Sequence, residues 1–162
     1  MILIVADTGP INYLIQIGYV EVLPRLVEKV ILPAPVQAEL LREAAPVVVR
    51  AWAANPPEWV EIRSATQTIQ EGDISAADRE AIALARELNA SFLLMDDSRA
   101  RRCAARLGVM TMGTLGLLEA AATRGFISLP TALERLRATS CFLTDELIEA
   151  ALNRDNERRR QS

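Results

Sequence analysis

Three acidic residues follow apolar segments that have the composition of buried strands. Asp7 follows the run at residues 2–6, and Asp96 and Asp97 follow the run at residues 92–95. The carboxyl ends of parallel strands lie at the same edge of a sheet, so we expect these carboxylates to lie close together. Like charges so placed raise one another's pKa unless a cation lies between them. The spacing therefore predicts a metal site at this edge.

Each of these residues also has a purely structural interpretation. Asp7 precedes Thr-Gly-Pro, where an aspartate commonly serves as a turn or cap residue. One member of the Asp96-Asp97 pair is expected to cap the following helix, which leaves the other to face the site. Between the two, we favour Asp97 as the ligand.

Glu80 is a further candidate because of its neighbours on the predicted helix. The residues three and four positions away are alanines and a leucine, so Glu80 projects from an apolar face. The alternative is a boundary residue whose carboxylate reaches water. Asp78 is accounted for by a capping box that begins at Ser75. The residues around Glu39 indicate only a half-exposed glutamate.

The composition limits the chemistry to carboxylates. The 162-residue sequence has no histidine, which excludes His-based acid–base catalysis and the common zinc ligands. Oxygen ligands suit Mg²⁺ or Mn²⁺. Cys103 and Cys141 have no paired spacing and are expected to be buried free thiols. The formal net charge of -3 means that any surface binding nucleic acid must be locally basic.

Predicted strands and helices alternate along the chain. The strands are expected at residues 2–6, 30–32, 59–62, 92–95 and 109–112, with a polar loop at 64–73. The helices are expected at residues 10–17, 19–28, after Pro33 and Pro35, 47–54, 75–89, 98–107, 114–124, 130–138 and 144–158. This order predicts a three-layer α/β/α fold with a mostly parallel central sheet of about four to five strands.

A chain of this length is expected to form one domain. Residues 1–126 would form its core, and the helices of residues 127–162 would complete it. The first apolar run is too short for a signal-peptide core or a membrane span, so a cytoplasmic protein is expected.

Four acidic strings occur in order along the chain: Val5-Ala6-Asp7-Thr8, Val36-Gln37-Ala38-Glu39, Asp78-Arg79-Glu80-Ala81 and Met95-Asp96-Asp97-Ser98, followed by Gly113-Thr114-Leu115-Gly116. Their order and spacing resemble the motifs of PIN-domain nucleases, over a stretch from the N-terminus to about Arg124. The closest likeness is to the small prokaryotic branch that includes VapC-like toxins. The last two strings indicate a sub-branch distinct from the best-known toxins.

The resemblance implies a metal-dependent endoribonuclease that cleaves single-stranded RNA, as the toxin of a toxin-antitoxin pair. It implies one or two Mg²⁺ or Mn²⁺ ions held by an acidic cluster of Asp7, Glu39, Glu80 and Asp97, with Asp96 as a further candidate metal ligand. Thr8 and Thr114 would be hydroxyl groups near the substrate. The implied protein partners are a cognate antitoxin and a second copy of the chain.

Arginines on the helix beyond Asp97 are candidates for binding phosphates. They are Arg99, Arg101 and Arg102, although a solvated helix face explains them equally well. Two other functions remain open. A receiver-like or nucleotide-binding module would also place acids at strand ends, but the sequence lacks its glycine-rich phosphate loop. A catalytically silent PIN-fold protein could bind nucleic acid or act as a regulator.

Overall fold

A parallel sheet of five strands lies at the centre of the molecule, which is described by a computed structural model over residues 2–70 and 73–161. The strands pair in the order β3-β2-β1-β4-β5, and every pairing is parallel. Their bounds are β1 (Leu3–Ala6), β2 (Lys29–Pro33), β3 (Val60–Arg63), β4 (Phe92–Leu94) and β5 (Thr111–Met112).

The described residues also form nine α-helices. These are α1 (Thr8–Gln16), α2 (Leu23–Leu26), α3 (Ala34–Leu40), α4 (Val47–Ala54), α5 (Ala76–Glu87), α6 (Ser98–Arg106), α7 (Thr114–Thr123), α8 (Leu129–Arg137) and α9 (Asp145–Gln161).

Both faces of the sheet are buried, because successive side chains of a strand point to opposite faces. Ile4 of β1 belongs to a core cluster that also contains side chains of α1, α4, α7, α8 and α9. The next residue, Val5, belongs to a second cluster formed with α5 and α6. The predicted three-layer α/β/α fold is therefore confirmed, with a sheet that is parallel throughout.

β1 occupies the position where the strand order reverses. The chain passes from β1 to β2 on one side, and later returns to form β4 on the other side. The Asp7 N–H donates to the carbonyl of Leu94 at 2.9 Å, which joins the two strand ends. In open α/β sheets, ligands bind at such a switch point. The fold thus places Asp7 and the residues after β4 at the edge where a site is expected.

The largest difference from the predicted elements lies at residues 19–28. The sequence predicted one helix there, whereas the structure has a short 3₁₀ turn (Val20–Val22) followed by α2. Pro24 explains the break, since proline has no N–H to donate and is tolerated only in the first turn of a helix. Val27 then adopts an extended backbone that leads into β2.

The C-terminal helices pack on the same core as the sheet. Leu133 of α8 and Ile148 of α9 are buried in the cluster that contains Ile4. No helix in the described part of the chain is long and apolar enough to cross a membrane. Both cysteines are free thiols, as predicted, but only Cys103 is buried; Cys141 is half-buried, in the irregular segment between α8 and α9.

The two isoleucines that flank Leu3 allow a matched test of this core. Ile4 is fully buried, whereas Ile2 is 46% exposed. Truncating a buried isoleucine removes apolar contacts and leaves a cavity, so Ile4→Ala should lower the free energy of unfolding by about 2–5 kcal/mol. Ile2→Ala should change it by less than about 0.5 kcal/mol. Urea unfolding followed by circular dichroism measures both, and equal losses would contradict the assigned core.

Candidate functional site

Asp7 is an acidic residue buried at the carboxyl end of the central strand. Its side chain lies directly after β1, and the residue is 7% exposed. Asp7 holds the position before the first turn of α1, but its side chain does not form the hydrogen bond of a helix cap; its only bond to that helix comes from the adjacent Thr8 N–H. A helix cap therefore does not account for an ionisable group buried at this position.

The surroundings of Asp7 favour its protonated form. The pKa of Asp7 is raised from 3.8 to about 8, and burial is the largest cause. The nearby carboxyl of Asp78 contributes to this rise through its charge and through a hydrogen bond between the two side chains. The charge of Glu39 raises this pKa further, whereas the Thr8 N–H lowers it by donating to the carboxyl. The carboxyls of Asp78 and Glu39 thus both act on Asp7 at the edge of the sheet.

Glu39 reaches this edge from α3. The hydroxyl of Thr8 donates a hydrogen bond to its carboxylate, so the first residue of α1 holds a side chain of α3 in place. The structure therefore brings together three of the residues named from the sequence, Asp7, Thr8 and Glu39.

Asp78, rather than Glu80, is the α5 residue that contacts Asp7. The Glu80 carboxylate accepts a hydrogen bond from the N–H of Ala65, in the segment after β3. Ser75 does cap α5, as predicted, by accepting the Asp78 N–H at 3.1 Å. The cap uses the backbone of Asp78 and leaves its carboxyl to face Asp7.

A signal for Asp78 was present in the sequence. Residues 81 and 82, three and four positions after Asp78, are fully buried in the structure. Glu80 was chosen because apolar residues lie three and four positions away on the helix, and apolar residues also lie three and four positions after Asp78. Asp78 was set aside because the capping box already explained it.

Asp96 and Asp97 have different roles at the end of β4. Asp97 caps α6 by accepting the Ala100 N–H at 2.9 Å, and it is exposed. Asp96 is half-buried and accepts both the N–H and the hydroxyl of Thr114, at 2.7 and 2.6 Å. Asp97 thus has the predicted capping role, and Asp96 is the residue whose carboxylate is held beside Thr114; the choice of Asp97 as the metal ligand stays a prediction.

Asp96 is held where Gly113 permits close approach. A Cβ on Gly113 would lie 3.1 Å from the Asp96 carboxylate and 3.1 Å from the Arg101 guanidinium, closer than most side-chain contacts. A Cβ on Gly9, in the first turn of α1, would lie 3.7 Å from Asp96. Asp96 thus lies beside the helix that Asp7 precedes.

The predicted phosphate-binding arginines differ in their surroundings. Arg101 donates to the hydroxyl of Thr111 at 3.2 Å and lines the same cleft as Asp96. Arg99 lies on the exposed surface, 4.0 Å from Asp73, and Arg102 is also exposed. Of the three, the structure places Arg101 beside the acidic edge.

The donor chemistry of this edge fits a hard divalent cation. Within residues 2–70 and 73–161, no three acidic or cysteine side chains converge closely enough to form a ready-made metal site. The side chains that act on Asp7 are nevertheless carboxylates alone. Carboxylate oxygens are the ligands that Mg²⁺ and Mn²⁺ prefer, and a cation between like charges removes their repulsion.

Comparisons with known proteins agree with this fold. A family model described as a PIN domain matches residues 3–157. The solved structure of a PilT N-terminus domain protein from the hyperthermophilic archaeon Sulfolobus solfataricus P2 is similar, with a TM-score of 0.54 and 18% sequence identity, over 74% of this chain and 93% of that chain. At this identity the likeness concerns the fold alone. A search of curated proteins finds no match.

The raised pKa of Asp7 predicts how stability depends on pH. Between pH 3.8 and about 8, the folded chain keeps a proton that the unfolded chain has lost, so this group makes the fold less stable as pH rises. Asp7→Asn lacks the group. In EDTA, the variant should be more stable than the parent at pH 8, and the difference should shrink towards pH 4.

Urea unfolding at several pH values tests this prediction. Asp73→Asn is a suitable control, since the Asp73 side chain is 98% exposed and should change stability little at any pH. A stability difference between the parent and Asp7→Asn that stays constant from pH 4 to 8 would contradict the assignment.

Proposed function

The chain belongs to the PIN-domain family, and we propose that it is a metal-dependent endoribonuclease that cleaves phosphodiester bonds of single-stranded RNA. PIN domains are generally nucleases, and the RNA substrate extends the resemblance found in the sequence. The observation that carries the proposal is the buried carboxyl of Asp7, held against Asp78 and near Glu39 at the carboxyl edge of the sheet. A stable fold gains nothing from such a contact unless a cation or substrate uses it.

In this proposal, four residues hold Mg²⁺ or Mn²⁺: Asp7, Glu39, Asp78 and Asp96. The first three are supported by the effects that the Asp78 and Glu39 carboxyls have on Asp7. Asp96 is supported by its place at the switch point and by the two hydrogen bonds from Thr114 that orient its carboxylate. Glu80 and Asp97 then act indirectly, through the segment after β3 and through the start of α6.

The bound cation would supply Lewis-acid chemistry, lowering the pKa of a water molecule and offsetting charge on the leaving oxygen. The residues of the chain orient the reacting groups. Thr8 fixes the direction of the Glu39 carboxylate, and Thr114 fixes that of Asp96. Arg101 supplies positive charge for a substrate phosphate next to the acidic residues.

Cleavage of labelled single-stranded RNA by the purified protein tests this proposal. We expect cleavage with Mg²⁺ or Mn²⁺ and none with EDTA. Asp7→Asn and Asp96→Asn should each lower kcat/KM by roughly 100-fold or more, because each removes a carboxylate that would hold the cation. Asp73→Asn should match the parent, because this exposed residue lies outside the proposed cluster.

Two pairs of variants separate the proposed ligands from their neighbours. Asp78→Asn should impair cleavage far more than Glu80→Gln, and Asp96→Asn far more than Asp97→Asn. The reverse order in either pair would return the ligand role to Glu80 or Asp97. A folded parent that binds RNA but cuts none would instead indicate a catalytically silent PIN-fold protein that binds nucleic acid.

The proposed biological role is that of a cytoplasmic toxin, which pairs with an antitoxin and forms a homodimer. The resemblance to VapC-like toxins supports this role. Apolar surface for a protein partner is available on and near α4, where Leu41, Val47 and Val48 are between 41% and 73% exposed.

Expression in bacteria tests the toxin role. We expect the parent chain to arrest growth and Asp7→Asn to be harmless at the same protein level, because arrest by a nuclease requires its acidic cluster. Light scattering of the purified protein gives its oligomeric state. Normal growth at high levels of an active parent enzyme would exclude the toxin role and leave the nuclease proposal intact.

A further inference from the structure

A cleft of about 630 Å³ opens beside the acidic edge, on the side of β5. Asp96 and Thr114 line the end of the cleft that borders the proposed catalytic residues. Its other walls combine aromatic and aliphatic side chains with Arg101 and with two further carboxylates, those of Asp97 and Glu119. The aromatic and aliphatic side chains are chiefly Tyr13, Met112, Leu115, Phe142 and Leu143. Pockets of about 300–1,000 Å³ with apolar walls and a few polar groups are typical of sites that bind small organic molecules.

Phe142 is the most exposed large apolar residue described on this surface, at 87%. It lies in the segment between α8 and α9, which is anchored on both sides. Before it, the Cys141 N–H donates to the hydroxyl of Thr139 at 3.1 Å. After it, Thr144 accepts the N–H of Leu147 at 3.2 Å. The two neighbours of Phe142 pack against the core, so the backbone holds an aromatic ring outward at the rim of the cleft.

Arg101 gives the cleft a cation at the end near Asp96. Its Nε donates to Thr111 at 3.2 Å, which orients the guanidinium along the cleft wall. An arginine beside aromatic rings can contact a phosphate, and its guanidinium plane can also stack on a base. The cleft therefore combines the groups that bind the sugar-phosphate backbone with those that bind a base.

We propose that this cleft binds an unpaired nucleobase of the RNA, adjacent to the phosphodiester that is cut. The proposal rests on the proposed nuclease function, and it explains how the enzyme would select single-stranded over double-stranded RNA. Tyr13 and Phe142 contact the faces of the base, Arg101 binds the adjoining phosphate, and Asp96 connects the cleft to the acidic cluster. A base in a duplex would first have to be unpaired and unstacked, so a single strand enters the cleft at a lower cost.

A peptide is the other class of ligand that an apolar cleft could accept. Two observations favour a base. The cleft shares Asp96 and Thr114 with the proposed reaction centre, so an RNA strand bound there needs no second surface. Tyr13 and Phe142 also line the cleft, and an unpaired base stacks on aromatic side chains of this kind.

Abasic scanning of an RNA substrate tests the proposal. Each single-stranded RNA carries one abasic nucleotide at a successive position around the cut, and kcat/KM is measured with Mn²⁺. Stacking of one base on a protein aromatic is typically worth about 5- to 150-fold in affinity. We therefore expect the kcat/KM of the parent enzyme to fall by about tenfold or more when one particular position is abasic, and to change little at the other positions.

Phe142→Ala links that position to the cleft. On intact RNA, the kcat/KM of the variant should fall by a similar factor. On RNA that is abasic at the sensitive position, its kcat/KM should equal that of the parent. The ring is exposed, so the variant should keep the parent's melting temperature. Met110→Ala is the matched control, since Met110 is 72% exposed and lies outside the cleft lining. This control should retain the parent's abasic profile.

The possible results separate this inference from the nuclease function. A parent enzyme that cuts RNA with a flat abasic profile overturns the base-binding cleft and leaves the nuclease proposal standing. A parent that cuts no RNA overturns both. If Phe142→Ala keeps the parent's profile but weakens self-association in light scattering, the cleft is a protein-docking surface and the base-binding proposal is wrong.

Discussion

The contact between the carboxyls of Asp7 and Asp78 is the constraint around which this edge of the molecule is organised. Two acidic groups of like charge lie together, and one of them is almost fully buried. Burial, and after it the charge of Asp78, raise the pKa of Asp7, so without a cation the contact is tolerable only while Asp7 keeps its proton. The fold thus holds an electrostatically costly arrangement, and such costs are typically retained where a bound ion or ligand offsets them.

The rest of the fold makes that arrangement hard to relax. β1 is the central strand, with hydrogen-bonded neighbours on both sides, so Asp7 cannot withdraw without disturbing β2 and β4. α5, which carries Asp78, packs on the face of the sheet that contains Val5 and Ile31. Interiors packed to this density are rigid, and they hold their surface groups in place. The apolar cores therefore supply the energy that keeps the acidic side chains together.

The sequence predicted the fold better than the details of the site. Strand and helix order follow from apolar runs and from breaks at proline and glycine, which are local signals. Asp7 was identified because it directly follows a buried strand. The choices between Asp78 and Glu80, and between Asp96 and Asp97, depend on where each side chain points after packing. Side chains one or two positions apart point in different directions, and which of them faces the site depends on how the helix or turn is rotated about its axis. No local sequence pattern determines that rotation.

The proposed RNA substrate raises an electrostatic problem, which base binding in the proposed cleft would help to resolve. RNA is a polyanion, while the chain has a net charge of -3 and its site is acidic. Long-range attraction therefore cannot supply most of the affinity, as it does for strongly basic nucleic-acid-binding proteins. A bound cation would offset the carboxylates locally, and Arg101 adds one positive charge beside them. The remaining affinity has to come from contacts that carry no charge, and stacking of an unpaired base on Tyr13 and Phe142 is of this kind.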